Sequence, residues 1–140
     1  MKNRVFATFS CVTLLTAAAA FGQSNAVMGV DIPFEFHAGA NILPAGHYEV
    51  TPEAAQNVLM IRCLECKAAA LITVNAVEAG KAPEQGSLVF NRYNGARFLA
   101  QVWTPGRTAG QELPKSKAER ELARNGSPGP SVILAALVLR

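Results

Sequence analysis

Hydrophobic and polar residues alternate along most of the chain beyond residue 27, which is the pattern of half-buried β-strands. Seven segments carry this alternation or a short apolar run: 30–36, 47–51, 58–62, 68–78, 88–93, 98–103 and 132–139. Turn residues separate these segments at short intervals. The pattern predicts a mainly β domain, either a β-sandwich or a small barrel of about seven strands.

Two of these segments carry more specific expectations. Pro33 has no N–H to donate to a ladder, so the strand 30–36 is expected at a sheet edge, or with Pro33 facing outward. The run 132–139 is continuously apolar, which fits a strand buried on both faces. Its Ala and Leu content leaves a helix open as the alternative.

The strongest hairpin signal is Asn94-Gly95 between two of the predicted strands. A strict two-residue loop there sets Arg92 opposite Arg97, and like charges that face each other are unfavourable. A looser loop with a bulge therefore remains open. Together with Tyr93, the two arginines are expected to form a solvated hairpin tip.

One segment has the ends of a helix. Ser116 and Glu119 stand three residues apart and form a capping box, and an Asn-Gly pair after residue 124 supplies the stop. The sequence thus predicts one short α-helix over 116–124, near the C-terminus, with Ala118 and Leu122 on its buried side.

The start of the chain has the pattern of a cleavable signal peptide. Lys2 and Arg4 precede an uncharged run, 5–21, that ends in small residues. A retained membrane anchor is the rival interpretation, but a spanning helix wants about 20 apolar residues, and Ser10, Thr13 and Thr16 dilute this run. We therefore expect export, with the protein periplasmic or secreted.

Cleavage before Gln23 or before Phe21 fits the small residues at the end of the run. The expected organisation is a signal peptide over 1–22 and a single β-rich domain over 23–140. Removal of the first 22 residues leaves 11 of the 13 basic residues against 10 acidic ones, a net charge of +1. Such a balance does not favour a nucleic-acid partner, and no apolar run in the domain is long enough to span a membrane.

Cys63 and Cys66 are the only cysteines beyond the predicted signal peptide. An even count in an oxidising compartment favours a disulfide, and a four-residue turn brings the two residues within bonding reach. Two alternatives use the same pair. One is a redox site; the other is a zinc site completed by His37 and His47, which a formed disulfide would abolish.

Hydrolytic motifs are sparse. Glu35 and Glu49 would face each other if their strands were adjacent, as the carboxylates of a glycosidase do. The same positions fit the polar face of a half-exposed sheet, which alternation alone explains. We therefore expect no enzymatic activity and no cofactor.

The run 43–48, Leu-Pro-Ala-Gly-His-Tyr, looks like the corner of immunoglobulin-like and transthyretin-like sandwiches. There a Tyr hydroxyl bonds an upstream carbonyl. This adds weight to the sandwich interpretation.

Several segments together resemble a family of small exported bacterial β-rich proteins with no assigned activity. These segments are 30–36, 43–48, 90–93 with the hairpin ending at 103, and 112–116, so the resemblance spans most of 27–126. It implies an exported β-rich protein and carries over no functional residue. The cysteine pair departs from the family pattern, in which a polar hairpin turn is usual.

The expectation for function is thus an exported, non-enzymatic β-domain with a structural or binding role in the cell envelope or extracellular space. The sequence identifies no partner; an envelope protein or a polysaccharide is the kind of partner that the compartment offers. The alternative is a redox or zinc-binding protein centred on Cys63 and Cys66.

Overall fold

Eleven strands and one α-helix make up the described part of the chain, residues 27–53, 57–126 and 128–139 of a computed structural model. The elements are β1 (Met28–Ile32), β2 (Phe36–Ala38), β3 (Asn41–Leu43), β4 (Gly46–Glu53), β5 (Val58–Cys63), β6 (Ala69–Thr73), β7 (Asn75–Glu78), β8 (Gly86–Tyr93), β9 (Ala96–Trp103), β10 (Ala109–Glu112), α1 (Lys117–Asn125) and β11 (Pro128–Val138). The predicted mainly β class is confirmed, with more strands than predicted. The predicted signal peptide, 1–22, lies outside the described residues.

The strands form one sheet that nearly closes into a barrel. Their order is β3-β2-β9-β8-β11-β1-β4-β5-β6, and β10 and β7 extend the sheet from β9. Among the described strands, every pair is antiparallel except β2 with β9. The last strand of the chain, β11, lies between β8 and β1, so it joins the two halves of the sheet.

Aromatic side chains fill the centre of the interior. Phe36 meets Tyr48 and Phe90 edge-on, with ring centroids 5.3 and 5.5 Å apart. The Tyr48 hydroxyl donates to the Pro44 carbonyl oxygen at 2.5 Å, which satisfies the one polar atom of this buried ring. The predicted Tyr corner is therefore present. The largest aliphatic side chains around these rings are Met28, Ile32, Leu59, Ile61, Leu88 and Leu99.

Pro33 ends a strand instead of marking the edge of the sheet. β1 stops at Ile32 and β2 begins at Phe36, so the predicted strand 30–36 is two strands. β1 pairs with β4 on one side and with β11 on the other. The edge expectation is wrong because the missing N–H of Pro33 falls after the last ladder position of β1, where it costs nothing.

The predicted strand 68–78 is likewise divided. β6 and β7 flank Val74, whose N–H donates to the Asn57 carbonyl oxygen at 2.8 Å. β6 pairs with β5, whereas β7 pairs with β10, a strand that the sequence analysis does not predict.

The β8–β9 hairpin has the strict two-residue loop. Asn94 and Gly95 both have positive φ, 47° and 87°, and Arg92 is paired directly with Arg97. The bulge in this pair of strands lies farther from the tip, between residues 89 and 90. The like charges are tolerated because the Arg97 guanidinium lies 4.4 Å from the centre of the Phe34 ring, a cation–π contact.

The apolar run 132–139 is a strand over most of its length, as predicted, but only one of its faces is buried. Ala136 is buried, whereas Ile133 and Leu137 on the opposite face are 66% and 74% exposed. The expectation of a strand buried on both faces is wrong, because no other described element covers the outer face of β11.

The helix α1 begins as predicted: the Ser116 hydroxyl accepts the Glu119 N–H at 3.2 Å. Its buried residue is Glu119, whereas Ala118, predicted to be buried, is exposed, and Leu122 is half-buried. Within the described residues, no helix is long and apolar enough to cross a membrane.

Candidate functional site

The tip of the β5–β6 hairpin holds the predicted cysteine pair. Cys63 is the last residue of β5, and Cys66 lies in the turn that follows, with 5.5 Å between their Cα atoms. The two sulphurs form a disulfide, and the Cys66 N–H donates to Cys63 Sγ at 3.2 Å. Cys63 is buried and Cys66 is exposed. The disulfide thus joins a core residue to a residue at the surface.

The disulfide packs against the neighbouring strand β4. A Cβ added to Gly46 would lie 3.1 Å from Cys63 Sγ and 3.8 Å from Cys66 Sγ, so the absence of a side chain there makes room for the bond. The Tyr48 hydroxyl lies 3.9 Å from Cys66 Sγ. The positive φ of Lys67, 56°, turns the chain back into β6.

A shallow, open groove of about 510 Å³ lies beside this tip. Asp31, His47 and Glu65 supply its polar groups, and its lining also includes Ile32, Pro33 and Leu134. Asp31 in β1 stands directly opposite His47 in β4, and its carboxylate is bonded to His47 Nδ1. A carboxylate that orients an imidazole is one part of a proton-transfer site, but the described lining contains no Ser, Thr or Cys as a nucleophile.

The structure separates the two histidines of the predicted zinc alternative. His37 in β2 stacks on Phe98 of β9, with ring centroids 4.2 Å apart, while His47 is bonded to Asp31. Across residues 27–53, 57–126 and 128–139, no group of three His, Cys, Asp or Glu side chains is placed to hold a metal ion.

The two glutamates considered for hydrolysis do not face each other. Glu49 is paired with Gly29 and Arg62, and its carboxylate accepts a hydrogen bond from the Arg62 guanidinium at 2.6 Å. Glu35 is exposed in the segment between β1 and β2. The polar-face interpretation is therefore the better one for Glu49.

The predicted solvated tip of the β8–β9 hairpin is partly buried under α1. Tyr93 is buried and donates to Glu119 at 3.3 Å, and Asn91 Nδ2 donates to the same carboxylate oxygen at 2.9 Å. Burial raises the pKa of Tyr93, and the charge of Glu119 and its hydrogen bond raise it further. Sequence reasoning misses this contact because Glu119 reads equally well as a capping residue.

The end strand β6 is paired with β5 on one side, and no described strand pairs with it on the other side. The Cys63 N–H donates to the Ala68 carbonyl oxygen, and the Val74 N–H donates to the Asn57 carbonyl oxygen. In an antiparallel pair every second residue of a strand is hydrogen-bonded to the neighbouring strand, so the residues of β6 between Ala68 and Val74 point toward β5 in alternation. The N–H and C=O groups of Ala70 and Ile72 therefore point toward β5. The N–H and C=O groups of Ala69, Leu71 and Thr73 point the other way, and we call these three residues the free edge.

Comparison of this chain with protein-family models, with curated proteins and with solved structures finds no match. The resemblance to small exported bacterial proteins therefore stays a prediction.

Proposed function

We propose that this chain is an exported, non-enzymatic structural domain of the cell envelope or extracellular space, which joins a second copy through the free edge of β6. The single observation that carries the proposal is the exposed backbone edge of Ala69, Leu71 and Thr73, which pairs with no strand in the described part of the chain. The pattern of residues 1–22 supports export.

The free edge favours a polypeptide over a polysaccharide as its partner. Its N–H and C=O groups recur at every second residue, a spacing of roughly 6.7 Å along the strand. Another extended backbone presents complementary groups at the same spacing, which is how a strand adds to a sheet. A sugar chain presents hydroxyl groups and not the paired N–H and C=O groups of an extended peptide backbone.

β6 lacks the features that usually protect an edge strand. Such strands are kept apart by a very short length, by charged residues, by prolines or by bulges. β3, at the other end of the sheet order, has only three residues and is followed directly by Pro44. β6 has five residues, Ala-Ala-Leu-Ile-Thr, with neither a charge nor a proline.

A second copy fits this edge with no unfavourable pair. Antiparallel pairing about a two-fold axis at Leu71 sets Leu71 against Leu71 of the second copy, and Ala69 against Thr73. All of these residues are uncharged. Leu71 is 67% exposed and stands opposite Met60, which is also exposed, so the pairing brings four apolar side chains together on the outer face.

The ionisable groups described above support a structural role over catalysis. The Glu49 carboxylate is hydrogen-bonded to Arg62, and the Asp31 carboxylate is hydrogen-bonded to His47. The Glu119 carboxylate accepts a hydrogen bond from the β8–β9 hairpin. Each pair connects neighbouring elements of the fold.

Sedimentation velocity over a range of concentrations tests the association. We expect wild-type protein to dimerise and Leu71→Lys to weaken the dimer by about tenfold or more, because the substitution places two lysines opposite each other. Leu137→Lys is the matched control, since Leu137 is equally apolar and 74% exposed but lies on β11.

Three results would overturn the proposed assembly: a monomer at every concentration, equal weakening by both substitutions, or weakening by Leu137→Lys alone. Export is tested separately by sequencing the N-terminus of protein recovered from outside the cytoplasm. We expect it to begin at Gln23 or Phe21. An intact Met1 would contradict cleavage of the signal peptide, and absence of the protein from that fraction would contradict export.

A further inference from the structure

We propose that the Cys63–Cys66 disulfide is a directional thiol–disulfide exchange site, in which Cys66 receives the incoming thiolate and Cys63 is the leaving group. The substrate is a thiolate, carried either by a small molecule or by a cysteine of an extended polypeptide. The site lies outside the free edge, so this inference does not depend on the proposed assembly.

Access to the two sulphurs sets the direction of attack. A thiolate must approach one sulphur along the line of the S–S bond, from the side opposite the other sulphur. Cys63 is 3% exposed and closes the core beneath the hairpin, whereas Cys66 is exposed in the turn. Cys66 is therefore the residue of the pair that a thiolate in solution meets, whereas Cys63 is covered by the core.

The leaving sulphur has a hydrogen-bond donor already in place. When the S–S bond breaks, its electron pair goes to Cys63 Sγ, which becomes a thiolate. The Cys66 N–H lies 3.2 Å from this atom in the disulfide form and donates to it. A donor aimed at a developing negative charge compensates part of the cost of forming that charge in a buried place.

The reaction balances in two steps. In the first, the thiolate bonds to Cys66 Sγ and releases the Cys63 thiolate, giving a mixed disulfide at Cys66. In the second, another thiolate attacks the substrate sulphur of that mixed disulfide and releases the Cys66 thiolate. Two substrate thiolates are thereby oxidised to one disulfide, and the cysteine pair is reduced by two electrons.

The surroundings hold Cys63 in place during the exchange. Cys63 belongs to β5 and is paired with Tyr48 of β4, and its N–H is bonded to the Ala68 carbonyl at 2.7 Å. Cys66 has no strand partner, because it lies in the turn between β5 and β6. Opening the bond therefore leaves the core strand where it is.

Trapping of the mixed disulfide tests the assignment. The oxidised full chain is mixed with glutathione, quenched with acid after a short time, alkylated and digested, and the adducts are located by mass spectrometry. We expect glutathione on Cys66 and the alkyl group on Cys63, with about tenfold more adduct at Cys66 than at Cys63. Any adduct on Cys11 is measured separately, because Cys11 lies in a different peptide of the digest.

A second arm replaces glutathione with a cysteine-containing unfolded peptide. An adduct at Cys66 from either thiol supports the site, and the ratio of the two rates distinguishes the small-molecule source from the polypeptide source. An adduct mainly at Cys63, equal adducts at both cysteines, or no adduct from either thiol would overturn the proposal. None of these results bears on dimer formation.

Discussion

Tyr93 and Glu119 are joined by a hydrogen bond in which the phenol donates to the carboxylate over 3.3 Å. Asn91 donates to the same oxygen at 2.9 Å. These bonds attach α1 to the β8–β9 hairpin, so the one helix of the described chain is fixed by a buried polar contact as well as by apolar packing.

Glu119→Ala should destabilise the protein by about 1–3 kcal/mol, because it leaves two donors without their acceptor at a buried place. Glu121→Ala is the matched control on the exposed side of the same helix and should change the free energy of unfolding by less than about 0.5 kcal/mol. Urea unfolding followed by circular dichroism measures both. Equal losses would show that the helix is held by other contacts.

Both tyrosines of the chain should ionise at higher pH when it is folded than when it is unfolded. Burial raises the pKa of Tyr48 above the usual 10.0, and burial together with Glu119 raises that of Tyr93. An absorbance titration of folded and urea-unfolded protein compares the two states directly. Coincident curves would contradict the buried positions of the two rings.

The same shifts predict how stability changes in alkali. Above about pH 10 the unfolded tyrosines lose protons while the folded ones retain theirs. The stability present below that pH should therefore fall as pH rises, until the folded tyrosines ionise as well. In Tyr93→Phe the free energy of unfolding should decrease less steeply with pH in this range. An unchanged slope would show that other groups cause the decrease.

Gly86→Ala should be destabilising even though alanine is a small residue. Its Cβ would lie 2.8 Å from Met28 Sδ and 3.0 Å from the Ala136 carbonyl oxygen, too close for a strand that is paired with β11. We expect a loss of about 1–3 kcal/mol in urea unfolding. Gly80→Ala meets nothing within 4 Å and serves as the control; similar midpoints for the two variants would contradict the packing described.

Local signals in the sequence predict the local structure well. Ser116 caps α1 as its spacing with Glu119 indicates, and Asn94-Gly95 makes the two-residue hairpin loop. Both depend on backbone groups only a few residues away, so they are readable from short stretches. The turn containing Cys63 and Cys66 is local in the same sense.

Most of the failures concern contacts between segments that lie far apart along the chain. β1 lies inside the sheet because β11, about a hundred residues later in the chain, pairs with the edge of β1 that β4 leaves free. The exposure of Ile133 and Leu137 follows from that same placement. The Asp31–His47 contact likewise needs the register of β1 against β4, which a single strand pattern does not fix.

Amide hydrogen exchange along β6 tests the central claim most directly. In dilute protein we expect the Leu71 N–H to exchange quickly and that of Ile72 slowly, because only Ile72 donates to β5. At concentrations where the protein dimerises, Leu71 should become protected while Ile72 changes little. A Leu71 amide that is as protected as Ile72 in the dilute monomer, or that exchanges quickly at every concentration, would contradict the account.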